Sequence, residues 1–272
     1  VQSSGLTGSK KERSIRPVIS SEKEPTRESA MTSSPAMLVV GAGDATGGAI
    51  ARRFAREGFT ACVTRRSEEA LTPLVERIRG EGGQARGFGC DARDEEQMTA
   101  LVDTIEAEVG PLEVVVFNIG ANVNFPIRET TARVYRKVWE MAAFAGFLTG
   151  REAARVMVPR GRGTIVFTGA TASLRGGRGF SAFAGAKFAL RALAQSMARE
   201  LGPEGIHVAH PVIDGAIDTA CIRDNFPDRY ALKDRDGILD PEHIADAYWV
   251  LHQQPRDAWT HELDLRPWME TF

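Results

Sequence analysis

The stretch Met37-Leu38-Val39-Val40-Gly41-Ala42-Gly43-Asp44-Ala45-Thr46-Gly47-Gly48-Ala49-Ile50 sets an apolar run, a glycine-rich turn and an amphipathic segment in immediate succession. Apolar residues closed by glycine read as a buried strand, and Ala49, Ile50, Arg53 and Phe54 open a helix. In such a strand–turn–helix unit the glycines let the backbone approach a pyrophosphate, while unpaired N–H groups and the helix dipole stabilise its negative charge. Gly41, Gly43, Asp44, Ala45, Thr46 and Gly47 are therefore candidate cofactor-binding positions. The plainer reading of the same residues is a tight turn whose glycines only relieve crowding.

Beyond this unit, short apolar runs alternate with amphipathic stretches at the spacing of repeated β–α units around a parallel sheet. Strands are expected at residues 37–40, 59–64, 85–90, 112–118, 164–168, 207–213 and 262–265. Leu71, Leu74, Val75 and Ile78 form a helical stripe, Asp94 with Gln97 reads as an N-cap and its capping-box partner, and Asp240-Pro241 opens a last helix. With no internal repeat and no second shift in composition, residues 36–272 read as one doubly wound Rossmann domain, a parallel sheet with helices on both faces. Residues 1–35 are rich in Ser, Lys, Arg and Glu and read as a flexible tail. Lys10, Lys11, Arg13 and Arg16 there form either a targeting or docking signal or a solvated remnant, and Met31 and Met37 are candidate start positions.

Composition narrows the function classes. The 272 residues carry 34 Lys and Arg against 36 Asp and Glu, so no excess of one sign drives binding to nucleic acid or anionic lipid. No apolar run approaches the about 18 residues of a membrane helix. Cys62, Cys90 and Cys221 are far apart, which suits a reducing, cytoplasmic setting and argues against a disulfide framework or a metal site.

The glycine turn is one residue longer than Gly-x-Gly-x-x-Gly and resembles the Thr-Gly-x-x-x-Gly-x-Gly signature of the short-chain dehydrogenase/reductase family, with Val40 in the threonine place and Ala45 in that of the middle glycine. The resemblance spans nearly everything after Ala36 and implies a nicotinamide cofactor. At the end of the second strand stand Thr64-Arg65-Arg66, where guanidinium groups would pair with a 2′-phosphate and an acidic residue would instead accept from a 2′-hydroxyl. NADP(H) is therefore expected over NAD(H). By the same resemblance Asp91-Ala92 lie near the adenine, and Asn118 and Gly120 stabilise the central sheet and cofactor wall. Ile217 and Thr219 hold the nicotinamide carboxamide or a nearby phosphate, with Asp214 in place of the family's proline.

The resemblance also implies a catalytic set of Asn, Ser, Tyr and Lys. The segment Phe183-Ala184-Gly185-Ala186-Lys187 matches Tyr-x-x-x-Lys with the phenolic hydroxyl gone; Ala170 falls on the serine and Ala143 on the asparagine, so only Lys187 remains. Lys187 has a second family role, hydrogen-bonding the nicotinamide ribose. Thr171, beside Ala170, is the nearest replacement hydroxyl, although a one-residue shift in a strand turns it to the other face. Two functions follow: an atypical NADP(H)-dependent oxidoreductase acting on a small carbonyl, imine or activated alkene, or a pseudoenzyme that binds the dinucleotide as sensor or scaffold.

Weaker signals complete the reading. His207 and His210, three apart in a strand, face opposite sides and make a poor metal pair. Asp103, Glu106 and Glu108 read as a solvated helix face. Arg175-Gly176-Gly177-Arg178-Gly179 is either an anion-binding or a mobile loop, and residues 220–240 occupy the family's substrate-loop position. The family resemblance implies a homodimer or homotetramer through the C-terminal segment from Trp259 to Trp268 and the helices around Ala143 and Phe183, with packing inside the chain as the alternative for the tryptophans.

Overall fold

The computed structural model describes residues 34–271. Most of the expected tail, with Met31, lies outside the described residues; Pro35 is already tied to the sheet, its carbonyl accepting from Thr60 N at 2.9 Å. The elements alternate as the apolar runs require: β1 (Ala36–Val40), α1 (Thr46–Arg56), β2 (Thr60–Arg65), α2 (Thr72–Gly80), β3 (Gln84–Gly89), α3 (Glu95–Glu108) and β4 (Leu112–Phe117). The second half continues with α4 (Ala132–Trp139), α5 (Ala145–Met157), β5 (Gly163–Phe167), β6 (Gly169–Ala170), α6 (Ser181–Leu201), β7 (Ile206–Ile213), α7 (Ala220–Asn225), α8 (Pro227–Tyr230), α9 (Pro241–Gln253) and β8 (Glu262–Leu265).

All strand pairings are parallel. The spatial order runs β3-β2-β1-β4-β5-β7, with β8 on the far side of β7 and β6 extending the β5 edge along β7 after a break at Thr168. Because successive side chains of a strand point to opposite faces, Met37 and Val39 pack with α1, α2 and α9 while Leu38 and Val40 pack with α3, α5 and α6. Burying each such Leu, Ile, Val or Phe contributes about 1.5–3 kcal/mol before chain entropy is counted. Two cores thus clamp one sheet, and the reversal of winding between β1 and β4 opens a crevice at their carboxyl ends.

Several sequence expectations shift in detail. The first helix begins at Thr46, three residues before its apolar stripe, so the glycine turn is tighter than expected. Asp94 caps α3 by accepting from Gln97 N at 3.1 Å, but Gln97 Oε1 accepts from Asp91 N instead of closing a capping box. Glu106 is not merely solvated: it accepts from Leu112 N and pairs with Arg160, while Asp103 and Glu108 pair with Arg155 and Arg86. Asp240 caps α9 as expected, accepting from Glu242 N.

Candidate functional site

The glycine turn is shaped by two constraints. Gly41 has φ +90°, a conformation that a side chain disfavours, and its N–H donates to Thr64 O at 3.1 Å, drawing the end of β2 beside the turn. At Gly47 an added Cβ would lie 2.7 Å from Gly41 O, so only glycine lets α1 seat this closely. Asn118 Nδ2 donates to the same carbonyl at 3.2 Å and locks the end of β4 against the turn. Gly43 and Gly120 differ in kind: a Cβ at either meets nothing within 4 Å, so their smallness serves open space. Ala45, the N-cap of α1, supplies no side-chain acceptor, and the first turn carries no acidic residue, which leaves its N–H donors for an external anion.

Beside the turn a cavity of about 170 Å³ is walled by Gly41, Thr64, Arg65, Arg66, Asp91, Ala92, Arg93, Ile119 and Met141. The fold therefore gathers residues expected from three separate β–α junctions. Arg65 and Arg66 are exposed at its rim, Arg65 Nη1 lying 3.4 Å from Ala70 O. Asp91 is gripped by Arg93, with Nε 2.9 Å from Oδ1, and this hydrogen-bonded pairing holds its carboxyl below the usual range. Arg93 and Met141 line this cavity without being among the residues expected from the sequence. Arg93 sits two residues beyond Asp91, a local signal that was available; Met141 comes from a helix distant in sequence and had none.

A second cavity of about 400 Å³ joins the other side of the turn to the segment after β7, with Asp44, Ala45, Arg52, Thr219, Cys221, Tyr230 and Glu242 in its wall. Thr219 thus lies beside the glycine turn, its hydroxyl accepting from Ile222 N at 3.1 Å as the cap of α7. Ile217 bridges to Leu239 through the flanking Ala216 O and Asp218 N, so its own N–H and C=O take no part in that bridge. Arg52, buried and paired with Glu242, is likewise not among the residues expected from the sequence.

Lys187 is 3% exposed on α6, and its Nζ donates to Thr168 O at 2.8 Å and to Ile119 O at 3.4 Å. Burial pushes its ammonium down to about 8. One turn earlier, Phe183 packs with Ala170 and Phe180, its ring centroid 5.9 Å from Nζ. Ala143 lies in a π-helical segment, Glu140–Phe144, between α4 and α5, a widening that apolar periodicity does not announce. Thr171 begins a 3-10 turn after β6, and its hydroxyl donates to the buried Asp214 carboxylate. That hydroxyl is spent, so Thr171 does not replace the serine as a donor.

The histidines have separate surroundings. His207 stacks on Trp259 at 5.0 Å, whereas His210 is fully buried 3.5 Å from Glu262, and burial pushes it down to about 4. Among the described residues no group of His, Cys, Asp and Glu is arranged to hold a metal ion, and no helix is long and apolar enough to cross a membrane.

The sequence profile described as short chain dehydrogenase matches residues 35–229. The short-chain reductase protein NovJ of Streptomyces niveus is 30% identical over 221 residues, spanning 81% of this chain and 83% of that protein. A short-chain dehydrogenase crystal structure from Rhodopseudomonas palustris is 52% identical, with a TM-score of 0.74 over 86% of this chain and 99% of that one. The fold is also that of actinorhodin polyketide ketoreductase with NADPH, at a TM-score of 0.78 and 24% identity over 88% and 98% of the two chains.

Proposed function

The chain belongs to the short-chain dehydrogenase family of oxidoreductases, and from that membership we propose that it is an NADP(H)-dependent enzyme that moves hydride to or from a small carbonyl, imine or activated alkene without a tyrosine acid. The observation that carries this reading is the cavity in which Arg65 and Arg66 stand beside Asp91 and the glycine turn. The cradle fits a dinucleotide: uncapped α1 donors face the turn, and Gly43 and Gly120 leave open space. When bound, the nicotinamide cofactor supplies the hydride.

The chain's own residues bind and orient. Gly41, Gly43, Asp44, Ala45, Thr46 and Gly47 hold the pyrophosphate with the first turn of α1. Arg65 and Arg66 take the 2′-phosphate through charge-assisted hydrogen bonds, and Asp91 and Ala92 flank the adenine. Asn118 fixes Gly41 O, Gly120 keeps the cofactor wall open, and Lys187 holds the nicotinamide ribose. Ile217 and Thr219 serve the carboxamide and the phosphate side. Phe183 has no hydroxyl to protonate a developing alkoxide, and Ala170 and Ala143 add no donor, so turnover is slower by the about 100- to 10,000-fold that a positioned acid contributes. Orientation of the reactants sustains what remains.

The spent hydroxyl of Thr171 favours the second reading, a dinucleotide-binding pseudoenzyme acting as sensor or scaffold. Either function suits a cytoplasmic homo-oligomer. Fluorescence titration tests the shared premise: NADPH is expected to bind at least about tenfold tighter than NADH, and Arg65→Ser with Arg66→Ser to remove that preference. Equal affinities in the unaltered protein would refute the NADP(H) assignment.

A further inference from the structure

Asp214 directly follows β7 and is only 1% exposed, so its carboxylate needs cationic partners to offset the hydration it has lost. Thr171 donates to Oδ1, while Oδ2 makes no hydrogen bond and lies 3.5 Å from Arg266 Nη2 and 3.7 Å from Arg175 Nη1. Arg266 is shared with Asp264. Arg175 is thus the counter-ion that the 171–180 loop supplies. At 3.7 Å it is held by charge and not by a hydrogen bond, so its five N–H donors are not consumed by Asp214.

The loop is also fixed in place. Gly179 O accepts from Phe125 N at 2.8 Å, and Gly179, at φ +84°, leaves no room for a Cβ beside the Asn124 side chain. This pins the loop to the segment following β4 at the carboxyl end of the sheet, where doubly wound folds bind their ligands. Arg175 stands between Ala170 and Phe183 in the chain, and its side chain is 43% exposed. Arg178, also exposed, has no ionic partner among the described residues. Arg175, held at 3.7 Å from Asp214, and Arg178 thus set two exposed guanidinium groups on one loop.

We propose that the substrate carries a carboxylate and that Arg175, anchored by the buried charge of Asp214, receives it. The inference rests on the oxidoreductase reading and names the substrate class of that same site. A planar guanidinium presents parallel N–H pairs that match the two oxygens of a carboxylate, which a neutral ester cannot reproduce. Asp214 acts here as a positioning residue, holding Arg175 by charge.

Binding calorimetry tests this without requiring turnover. The full chain, with and without NADP⁺, is titrated with benzoylformate, acetoacetate and 3-oxocyclohexanecarboxylate, each paired with its methyl ester. At least one acid is expected to bind at least about tenfold tighter than its ester. Arg175→Gln should abolish that ratio while NADP⁺ affinity holds, and Asp214→Asn should shrink it. Arg175→Gln alters an exposed side chain, so it remains informative if Asp214→Asn fails to fold. Acids that bind no better than their esters, no acid binding at all, or a ratio unchanged in Arg175→Gln would overturn the proposal. A protein that binds the acids through Arg175 but transfers no hydride would instead fail the oxidoreductase reading alone.

Discussion

At the scale of single residues, Lys187 has the clearest consequence for pH. Its ammonium is buried against two backbone carbonyls and titrates near 8, below its ordinary 10.5. Between these values the unfolded chain keeps a proton that the folded chain has released, so raising the pH across this window stabilises the fold. Denaturant titrations should show the unaltered protein gaining up to about 3 kcal/mol relative to Lys187→Met from pH 8 to pH 10.5. A constant difference would show that Lys187 keeps its ordinary proton affinity in the fold. Lys187, Arg65, Arg66 and Asn118 were legible in the sequence because each sits at a fixed offset from a strand end or a helix turn. The clasp of Arg52 on Glu242 and of Thr171 on Asp214 was not, because those partners meet only after α9 and β7 have packed.

At the scale of elements, the glycines of the first β–α unit and of the wall after β4 fall into two groups that mutation separates. Gly47→Ala drives a Cβ into Gly41 O and should destabilise the fold by about 1–3 kcal/mol, the range for an overpacked site. Gly43→Ala and Gly120→Ala add a methyl to open space, so their thermal midpoints should correspond to changes within about 0.5 kcal/mol. Both should nevertheless weaken NADPH binding, because the space they fill is that assigned to the cofactor. If all three variants lost stability alike, the open space would be packing and not a cradle. Strands were readable from apolar runs and α3 and α9 from their caps. The π-helical segment at Ala143 and the short β6 were not, because one widened turn and a two-residue strand carry no periodic pattern.

At the scale of the whole molecule, Tyr135, Trp139, Phe147 and Phe188 stand exposed on α4, α5 and α6, the helices on which oligomer contacts are expected. Exposed aromatic side chains of this kind supply the anchors of subunit interfaces. Sedimentation at micromolar concentration should therefore give a dimer or tetramer, and a monomer would reject that assembly. The fold itself was legible because strand, turn and helix recur in one order. The activity was less so, because Ala143, Ala170 and Phe183, standing where the family resemblance implies Asn, Ser and Tyr, do not name what the protein acts on. This family member is proposed to transfer hydride without a tyrosine acid. That transfer is tested most directly by incubating the protein with NADPH deuterated at the transferring position and a panel of ketones, imines and enones, then measuring deuterium in the products by mass spectrometry. Slow, enzyme-dependent deuterium transfer to at least one acceptor is expected, accelerated about 100-fold or more for a carbonyl acceptor when Phe183→Tyr is combined with Ala170→Ser. NADPH binding with no deuterium in any product, for the unaltered protein and the double variant alike, would contradict it.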